Sequence, residues 1–302
     1  MITTRRVQAN RLGFTLDEAG EGDAVALCLH GFPESRFSWR HQLPALESAG
    51  WRAVAPDLRG YGDSEKPRGR AAYHLDHLVA DVAALFDALG ARRRLLVGHD
   101  WGAMVAWSFA LRQALPLDGL VVMNVPHPMV FGQALRHSWA QRRRSWYVAA
   151  FQLPWLPEAI LTAGHAWGVG QAIRGMAVDK AAFPDEVLDV YRTNALKPGA
   201  MTAMINYYRA NADLGGGQAA AMIRTPILMI WGEQDKALGL ELTEGYGPLV
   251  ADFTLERLPG VSHWVQQEAP EQVNARLLAW LGRQDLSPTR CSPAGGAVGA
   301  AD

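Results

Sequence analysis

The sequence predicts an α/β fold in which a doubly wound, mostly parallel sheet carries an inserted helical lid. Short apolar runs alternate with amphipathic stretches from residue 24 to residue 125, and the alternation resumes at Thr225. Strands that alternate with helices at this spacing indicate parallel β–α–β units. Between the two parts, residues 128–217 contain no convincing strand. The length of 302 residues allows one large domain with an insertion, and a hydrophobic content of 49% is ample for its core.

The first part of the chain supplies most of the predicted sheet. Residues 5–19 are expected to form two short antiparallel strands, and the continuous apolar run 24–29 is typical of a strand buried on both faces. The amphipathic pattern of residues 75–90 predicts a helix with one apolar face. The other elements predicted in this part are strands over 51–56, 95–97 and 117–125 and a helix over 39–48.

The lid is predicted over residues 128–217, above the strand ends where ligands bind in open α/β folds. Its four helix-like stretches are 133–152, 157–175, 184–196 and 200–212. The sheet domain then comprises residues 1–127 and 218–285. Its second part is expected to hold a strand over 225–231, a helix, a strand over 252–258 and a terminal helix over 264–283. The Gly/Ala/Pro-rich residues 286–302 are expected to be a disordered tail.

Composition argues against several classes of function. A net charge of −1 gives no electrostatic case for nucleic acid or an anionic membrane as a partner. Cys28 lies in an apolar run and Cys291 in the tail, which fits two free thiols. The amino-terminal residues lack an apolar signal region and no stretch is long enough to span a bilayer, so we expect a soluble, cytoplasmic protein. No metal or organic cofactor is expected, because the histidines lack metal-ligand spacing and no phosphate loop is present.

The turn Gly98-His99-Asp100-Trp101-Gly102 is the first candidate for catalytic chemistry. A buried strand precedes it and a helix follows, and its two glycines permit a strained turn that lifts one side chain above the sheet. Such turns usually present a serine, whereas the lifted residue here is Asp100. Its carboxylate, with an ordinary pKa of about 3.9, is already ionised at neutral pH. It can attack a carbon that bears a strained or good leaving group, and the resulting ester must be cleaved by water.

On the turn alone, an aspartate that merely caps the following helix is an equal alternative. Residues further along the chain favour catalysis. His263 follows the last predicted strand and Asp235 follows the strand before it, so both belong at the same sheet edge as Asp100. The order nucleophile, acid, histidine is that of α/β-hydrolases. His263 is the expected general base, and Asp235, with Glu233 as its nearest competitor, is expected to orient and stabilise it.

Attack of water on the ester places negative charge on the Asp100 carboxyl group. The backbone N–H groups of Trp101 and Phe32 are the candidate donors of an oxyanion hole. Phe32 lies in the turn His30-Gly31-Phe32-Pro33, beside the strand that leads to Asp100 in the predicted sheet. An ordinary turn at the end of a strand is the alternative for this segment.

Epoxides and alkyl halides are substrates that fit attack by a carboxylate. Opening an epoxide also requires an acid, and a tyrosine with a pKa near 10 stays protonated at neutral pH. The lid contains Tyr147, Tyr191, Tyr207 and Tyr208. Helical spacing puts Tyr208 on the apolar side of its helix and Tyr207 off that side, while Tyr147 shares a face with Phe151. By pattern alone, packing within amphipathic helices is the simpler interpretation of Tyr147 and Tyr208.

From about residue 5 to residue 284, the chain resembles an α/β-hydrolase of the epoxide hydrolase family. The matching segments of the sheet domain are HGFPESRFSWR at 30–40, DLRGYGDSEKP at 57–67, GHDWG at 98–102, GEQD at 232–235 and the SHW that contains His263. These motifs are shared across the superfamily, and two lid segments are more specific. Tyr147 stands four residues before the first residue of a Phe-Gln pair, and Asn206-Tyr207-Tyr208-Arg209 resembles the Asn-Trp-Tyr-Arg segment of the family.

The resemblance implies roles for the lid tyrosines. In the family, the residues that match Tyr147 and Tyr208 jointly hold and protonate the epoxide oxygen. It further implies that Asp100 attacks carbon, that His263 activates water with Asp235, and that the product is a vicinal diol. The sequence departs from the family pattern at Tyr207, where the family often has tryptophan. This difference affects the shape of the pocket more than the chemistry.

The expected partners are a small apolar epoxide and water. The lid is rich in aromatic side chains and poor in acidic ones, which indicates an apolar, mid-sized substrate. The residues expected to contact it are Trp101, Phe32, Phe151 and Trp146.

A haloalkane dehalogenase is the nearest alternative, because that family uses the same aspartate, acid and histidine. Departure of a halide needs no proton donor, however, and that family usually has asparagine or a similar donor where this chain has Phe32. Fluoroacetate dehalogenases also resemble the chain, but they place an arginine where it has Trp101. A ligand-binding protein without turnover would not require the complete set of Asp100, Asp235 and His263. We therefore expect an enzyme.

Overall fold

A computed structural model describes residues 1–212 and 222–288, and the strands within them form one eight-stranded sheet. The strands are β1 (Thr3–Ala9), β2 (Leu12–Ala19), β3 (Ala24–Leu29), β4 (Arg52–Pro56), β5 (Arg93–His99), β6 (Gly119–Met123), β7 (Ile227–Gly232) and β8 (Phe253–Leu258). Their order across the sheet is β1-β2-β4-β3-β5-β6-β7-β8. The β1–β2 and β2–β4 pairs are antiparallel, and the other pairs are parallel. The predicted fold class is confirmed.

The central strands are buried on both faces. Every residue of β3, β6 and β7 is buried, which is why these strands appear in the sequence as continuous apolar runs rather than as alternating ones. Helices cover the two faces of the sheet. They are α1 (Gln42–Ser48), α2 (Leu75–Ala88), α3 (Trp101–Leu111), α10 (Val265–Glu268) and α11 (Pro270–Arg283).

Three predicted helices of the sheet domain differ from the structure. Two were predicted as one continuous helix each, and one is not an α-helix. The stretch 39–48 is a 3₁₀ turn, Arg36–Trp39, followed by α1. The terminal helix 264–283 is divided into α10 and α11 at Pro270, whose ring lacks the N–H that a continuous helix requires. The helix expected between β7 and β8 is only a 3₁₀ turn, Leu240–Thr243, in a segment interrupted by glycine and proline.

The lid comprises six helices in the described residues. They are α4 (Pro128–His137), α5 (Trp139–Arg144), α6 (Trp146–Ala150), α7 (Leu156–Met176), α8 (Asp185–Leu196) and α9 (Ala200–Ala210). The backbone of α7 leaves the helical conformation at residues 163–166, so the predicted helix 157–175 was wrong as a continuous helix. The first predicted lid helix, 133–152, was wrong as a single helix. It breaks at Ser138, whose side chain accepts a hydrogen bond from the Gln141 amide and so begins α5, and again at Ser145. The predicted end of the lid at residue 217 lies outside the described residues.

Hydrogen bonds hold the lid against the carboxyl ends of the strands. The Trp264 indole donates to the carbonyl of Ile173 in α7 at 2.9 Å, which joins the lid to the loop after β8. The side chain of Asn211, just after α9, accepts from the Leu75 amide and donates to the Tyr73 carbonyl. These contacts fix the lid above one edge of the sheet, where side chains that follow the strands converge.

The sheet domain continues slightly beyond its predicted end. Leu286, expected in the disordered tail, is buried in the core, and its carbonyl accepts a hydrogen bond from Arg93. The rest of the predicted tail from residue 289 onward lies outside the described residues. Within residues 1–212 and 222–288, none of the helices combines the length and apolar character of a bilayer-spanning segment.

Candidate active site

Asp100 occupies a strained turn between β5 and α3. Its φ of +48° and ψ of −123° are uncommon for a residue with a side chain, and such conformations cluster at functional sites. Asp100 stands at the N-cap position, but its side chain does not cap α3. A Cβ atom on Gly31 would overlap the Asp100 side chain, and one on Gly102 would overlap the Leu29 carbonyl. The close approach of these backbones therefore requires both glycines.

The Asp100 carboxylate faces an amide and a histidine. The Phe32 amide donates to its Oδ1 at 2.7 Å, and Nε2 of His263 lies 3.4 Å from its Oδ2. Burial by itself raises the pKa of Asp100, but His263, His99 and the Phe32 amide outweigh this effect and hold the pKa below its usual value. Of the two predicted amide donors, the one on Phe32 bonds Asp100 within the described residues. The Trp101 amide begins α3, where first-turn N–H groups have no partner inside the helix.

His263 is paired with Asp235, and not with Glu233. Nδ1 of His263 lies 2.6 Å from Oδ2 of Asp235, and both side chains are buried. Burial lowers the pKa of His263, but the carboxylates of Asp235 and Asp100 outweigh it and raise the pKa to about 10. Because the pKa of Asp100 is also lowered, the unreacted site holds an imidazolium between two carboxylates.

Three donors besides the histidine hold Asp235. The amides of Ala237 and Leu238 donate to its Oδ1 at 2.8 and 3.0 Å, and the side-chain NH₂ group of Asn124 donates to its Oδ2 at 2.8 Å. Asn124 is fully buried just after β6, and its side-chain oxygen accepts from the Gly232 amide at 2.9 Å. No motif in the sequence pointed to Asn124. Its place directly after a buried strand, at the same edge as the other site residues, is the signal that could have found it.

Two lid tyrosines face the Asp100 carboxylate across a cavity. Tyr147 on α6 and Tyr208 on α9 line the same cavity as Asp100, and their ring centroids are 6.0 Å apart. Burial, reinforced by the Asp100 charge, raises the pKa of both phenols well above the ordinary value. Both hydroxyl groups therefore stay protonated and can donate.

The other two lid tyrosines pack elsewhere. The Tyr207 hydroxyl donates to the carbonyl of Arg59 at 2.8 Å, and that of Tyr191 donates to the side chain of Gln267. The expectation that Tyr207 lies off the apolar side of its helix was wrong, because its ring is completely buried. It packs against Trp101, with ring centroids 5.5 Å apart, and so supports a wall of the pocket from behind.

The cavity has a volume of about 460 Å³ and is lined mainly by apolar and aromatic side chains. Phe32, Phe151 and Trp146, three of the four predicted contact residues, are among them. The fourth, Trp101, lines a smaller adjoining cavity of about 40 Å³ that also reaches Asp100 and both tyrosines. Sites of this kind, apolar with a few convergent polar groups, are typical of small-molecule binding.

The chain is similar to known proteins in sequence and in structure. The α/β hydrolase fold family matches residues 25–270. Epoxide hydrolase 4 of Mus musculus is 37% identical over 289 residues, covering 91% of this chain and 78% of that protein. Epoxide hydrolase A of Mycobacterium tuberculosis is 33% identical over 320 residues, covering 94% of this chain and 98% of that protein. The crystal structure of a Bacillus megaterium epoxide hydrolase with an inhibitor has a TM-score of 0.85 at 31% identity, covering 92% of this chain and 100% of that one.

This chain belongs to the epoxide hydrolase family of α/β-hydrolases. The relatedness inferred from its motifs is confirmed, and so is the prediction of a hydrolytic enzyme.

A second buried pair supports the site of this epoxide hydrolase family member. Glu34 bonds Nδ1 of His99 at 2.7 Å and also accepts from the Gly31 amide and from the side chains of Gln266 and Gln267. Nε2 of His99 lies 2.9 Å from the carbonyl oxygen of His263. The network joins three loops, those that carry Phe32, Asp100 and His263. The motifs contained Glu34, His99 and His263 but not the two glutamines, and the sequence did not indicate that these residues contact one another.

Proposed function

We propose that this protein hydrolyses an apolar epoxide to a vicinal diol through a covalent ester on Asp100. One observation carries the proposal: an ionised carboxylate and two protonated tyrosines line the same apolar cavity. An epoxide between them has a nucleophile on one side and proton donors for its oxygen on the other. A dehalogenase would need the carboxylate but not the tyrosines, because departure of a halide needs no proton donor.

The first step forms the ester. Oδ1 of Asp100 is held by the Phe32 amide, so Oδ2 is the oxygen available for attack. A bond forms between Oδ2 and an epoxide carbon while the bond between that carbon and the ring oxygen breaks. Tyr147 and Tyr208 hold the departing oxygen, and one of them gives it a proton.

The second step cleaves the ester. Esterification removes the charge on Asp100, one of the two carboxylates that raise the pKa of His263. His263 can then lose its proton, which restores the tyrosine that protonated the product oxygen, and act as a base on the water that bonds to the ester carbon. Asp235 orients the ring and stabilises the imidazolium that forms. The negative charge of the tetrahedral intermediate develops on Oδ1, where the amides of Phe32 and Trp101 are the donors. Its collapse breaks the bond between Cγ and Oδ2. Oδ2 leaves with the diol and takes a proton from the His263 imidazolium, and the proton on the new carboxyl group returns to His263.

The cavity walls favour an apolar substrate. Phe32, Phe151 and Tyr208 form an edge-to-face aromatic cluster, with ring centroids 4.9 to 5.4 Å apart, beside the attacking carboxylate. Trp101 packs on Tyr208 with centroids 5.0 Å apart. An apolar substituent that displaces water from these rings contributes binding free energy in proportion to the area it covers.

The test is to trap the ester in the His263→Gln variant and weigh the intact protein. With styrene oxide, we expect a mass increase equal to the whole epoxide, because ring opening loses no atom. With 1-bromobutane, a dehalogenase would instead gain the butyl group and release bromide. Asp100→Ala is the control and should gain nothing. No adduct in His263→Gln, with diol formed by the wild type, would contradict the covalent mechanism; bromide release without diol would contradict the epoxide substrate.

A further inference from the structure

Large apolar side chains surround the mouth of the cavity and face solvent. Trp146, Leu153, Leu156 and Ile160 line the cavity, yet Trp146 is 68% and Ile160 is 60% exposed. Trp155, between two of them in the chain, is 72% exposed. We call these five residues the apolar rim. Contiguous apolar surface of this kind usually marks a binding surface in a soluble protein.

The backbone at Trp155 adds to this observation. Trp155 precedes α7 with a φ of +51°, in the left-handed region that disfavours bulky side chains. Asparagine or glycine adopts this conformation more readily. Neither burial nor backbone preference within the chain therefore explains a tryptophan at this position.

The chain segment that carries four of the five rim residues is positively charged, although the whole chain has a net charge of −1. Residues 119–157 contain four arginines and no acidic residue. Three of the arginines are on α5, and both Arg144 and Lys236 line the cavity. Arg144 pairs with Glu241 at 3.1 Å. The first acidic residue after this stretch, Glu158, is already paired with Arg209.

We propose that the apolar rim and the arginines of α5 dock this protein on an anionic lipid bilayer. Tryptophan, leucine and isoleucine side chains insert at the boundary between headgroups and acyl chains, and arginines beside them bind the lipid phosphates. The mouth of the apolar cavity then opens into the bilayer, so that an apolar substrate enters without crossing water. This last step rests on the proposed function, whereas docking itself does not.

A second copy of the chain fits this surface less well. In a two-fold dimer the same patch meets itself, which would bring the arginines of both α5 helices together, although only Arg144 of the three has an acidic partner among the described residues. An anionic bilayer supplies both the apolar phase and the opposite charge.

The experiment measures cosedimentation of the full chain with phosphatidylcholine vesicles, with and without phosphatidylglycerol, in the absence of substrate. Trp155→Asn removes the indole, and asparagine suits the left-handed backbone at this position. Its control is Leu196→Asn on α8, a helix that contributes no residue to the cavity lining. Arg143→Gln removes one α5 charge, with Arg68→Gln on the sheet domain as its control. We expect about tenfold weaker binding for Trp155→Asn, from the apolar area lost. For Arg143→Gln we expect about fivefold weaker binding to the anionic vesicles only.

The proposal is overturned if the wild type does not sediment with the anionic vesicles, or if both test variants bind as their controls do. It is also overturned if light scattering finds a dimer that Trp155→Asn converts to a monomer, since a second copy would then cover the apolar rim. Thermal melts establish that each variant is folded.

Delivery is tested separately. Trp155→Asn should hydrolyse a long-chain epoxide held in vesicles about tenfold more slowly than the wild type does, in line with its weaker docking. The same variant should hydrolyse dissolved styrene oxide at the wild-type rate. Equal rates with both substrates would overturn delivery from the bilayer. If the wild type hydrolyses neither epoxide while vesicle binding holds, the proposed function fails and the docking surface stands.

Discussion

Asn124 donates a hydrogen bond of 2.8 Å to Oδ2 of Asp235, the same oxygen that bonds His263. The opposite end of the Asn124 amide accepts from Gly232, so its NH₂ group is directed toward the carboxylate. The ends of β6 and β7 are thereby joined through one side chain. The position of the Asp235 carboxyl group therefore does not depend on His263 alone.

Asn124→Ala should slow ester cleavage, because Asp235 loses the donor that fixes the oxygen facing His263. We expect kcat to fall about tenfold with little change in KM, as for a group that acts through its neighbour. Asn211→Ala is the matched control, because it removes another buried asparagine that joins two elements outside the site. Steady-state kinetics and melting curves separate the cases. If both variants lose the same stability and neither changes kcat, the role of Asn124 is structural only.

Asp100→Asn should lower the pKa of His263 from about 10 toward its ordinary value. The amide lacks the charge of the carboxylate, as the ester intermediate does, and only Asp235 then holds the proton on the ring. Imidazole ¹⁵N chemical shifts followed against pH measure the change, with His263→Gln to assign the signal. Glu233→Gln, which removes a nearby carboxylate that does not bond His263, should leave the titration as it is. An unaltered titration in Asp100→Asn would contradict the proposed activation of the base.

The contribution of His263 to stability should depend on pH. Since folding raises its pKa from 6.5 to about 10, this contribution is complete below pH 6.5 and is lost as the pH rises through 10. The difference in unfolding free energy between wild type and His263→Gln should therefore shrink by a few kcal/mol, or about 1.4 kcal/mol per pKa unit, over this range. Urea unfolding at several pH values measures it, with the exposed His77→Gln as control. A difference independent of pH would contradict the charged pair.

Replacing both lid tyrosines should remove the acid. We expect Tyr147→Phe/Tyr208→Phe to lower kcat/KM for an epoxide by about 10²–10⁴-fold, the usual contribution of a general acid, and each single variant to lose less. Tyr207→Phe is the control, because its hydroxyl bonds the Arg59 carbonyl outside the cavity and its loss should affect stability alone. Initial rates of diol formation by each variant measure this loss. Wild-type rates in the double variant would make Tyr147 and Tyr208 packing residues.

The lid was predicted less well than the sheet. Apolar residues at helical spacing indicated helices over 133–152, but spacing does not reveal that Ser138 and Ser145 interrupt them. Tyr207 was misjudged for a related reason. A helix packed on more than one side buries more than one face, and Tyr207 is covered by Tyr61, Tyr73 and Trp101.

By itself, the sequence determined the order of strands and helices and the residue types at the carboxyl ends of the strands. Apolar runs, glycine turns and helical spacing are local properties, and parallel topology brings strand ends to one edge. Only the tertiary structure decided which atoms meet there: Asp235 rather than Glu233 with His263, Asn124 beneath Asp235, and the Phe32 amide on Asp100. Asn124 and Asp235 are 111 residues apart in the chain, and their contact depends on side-chain packing that no local pattern encodes.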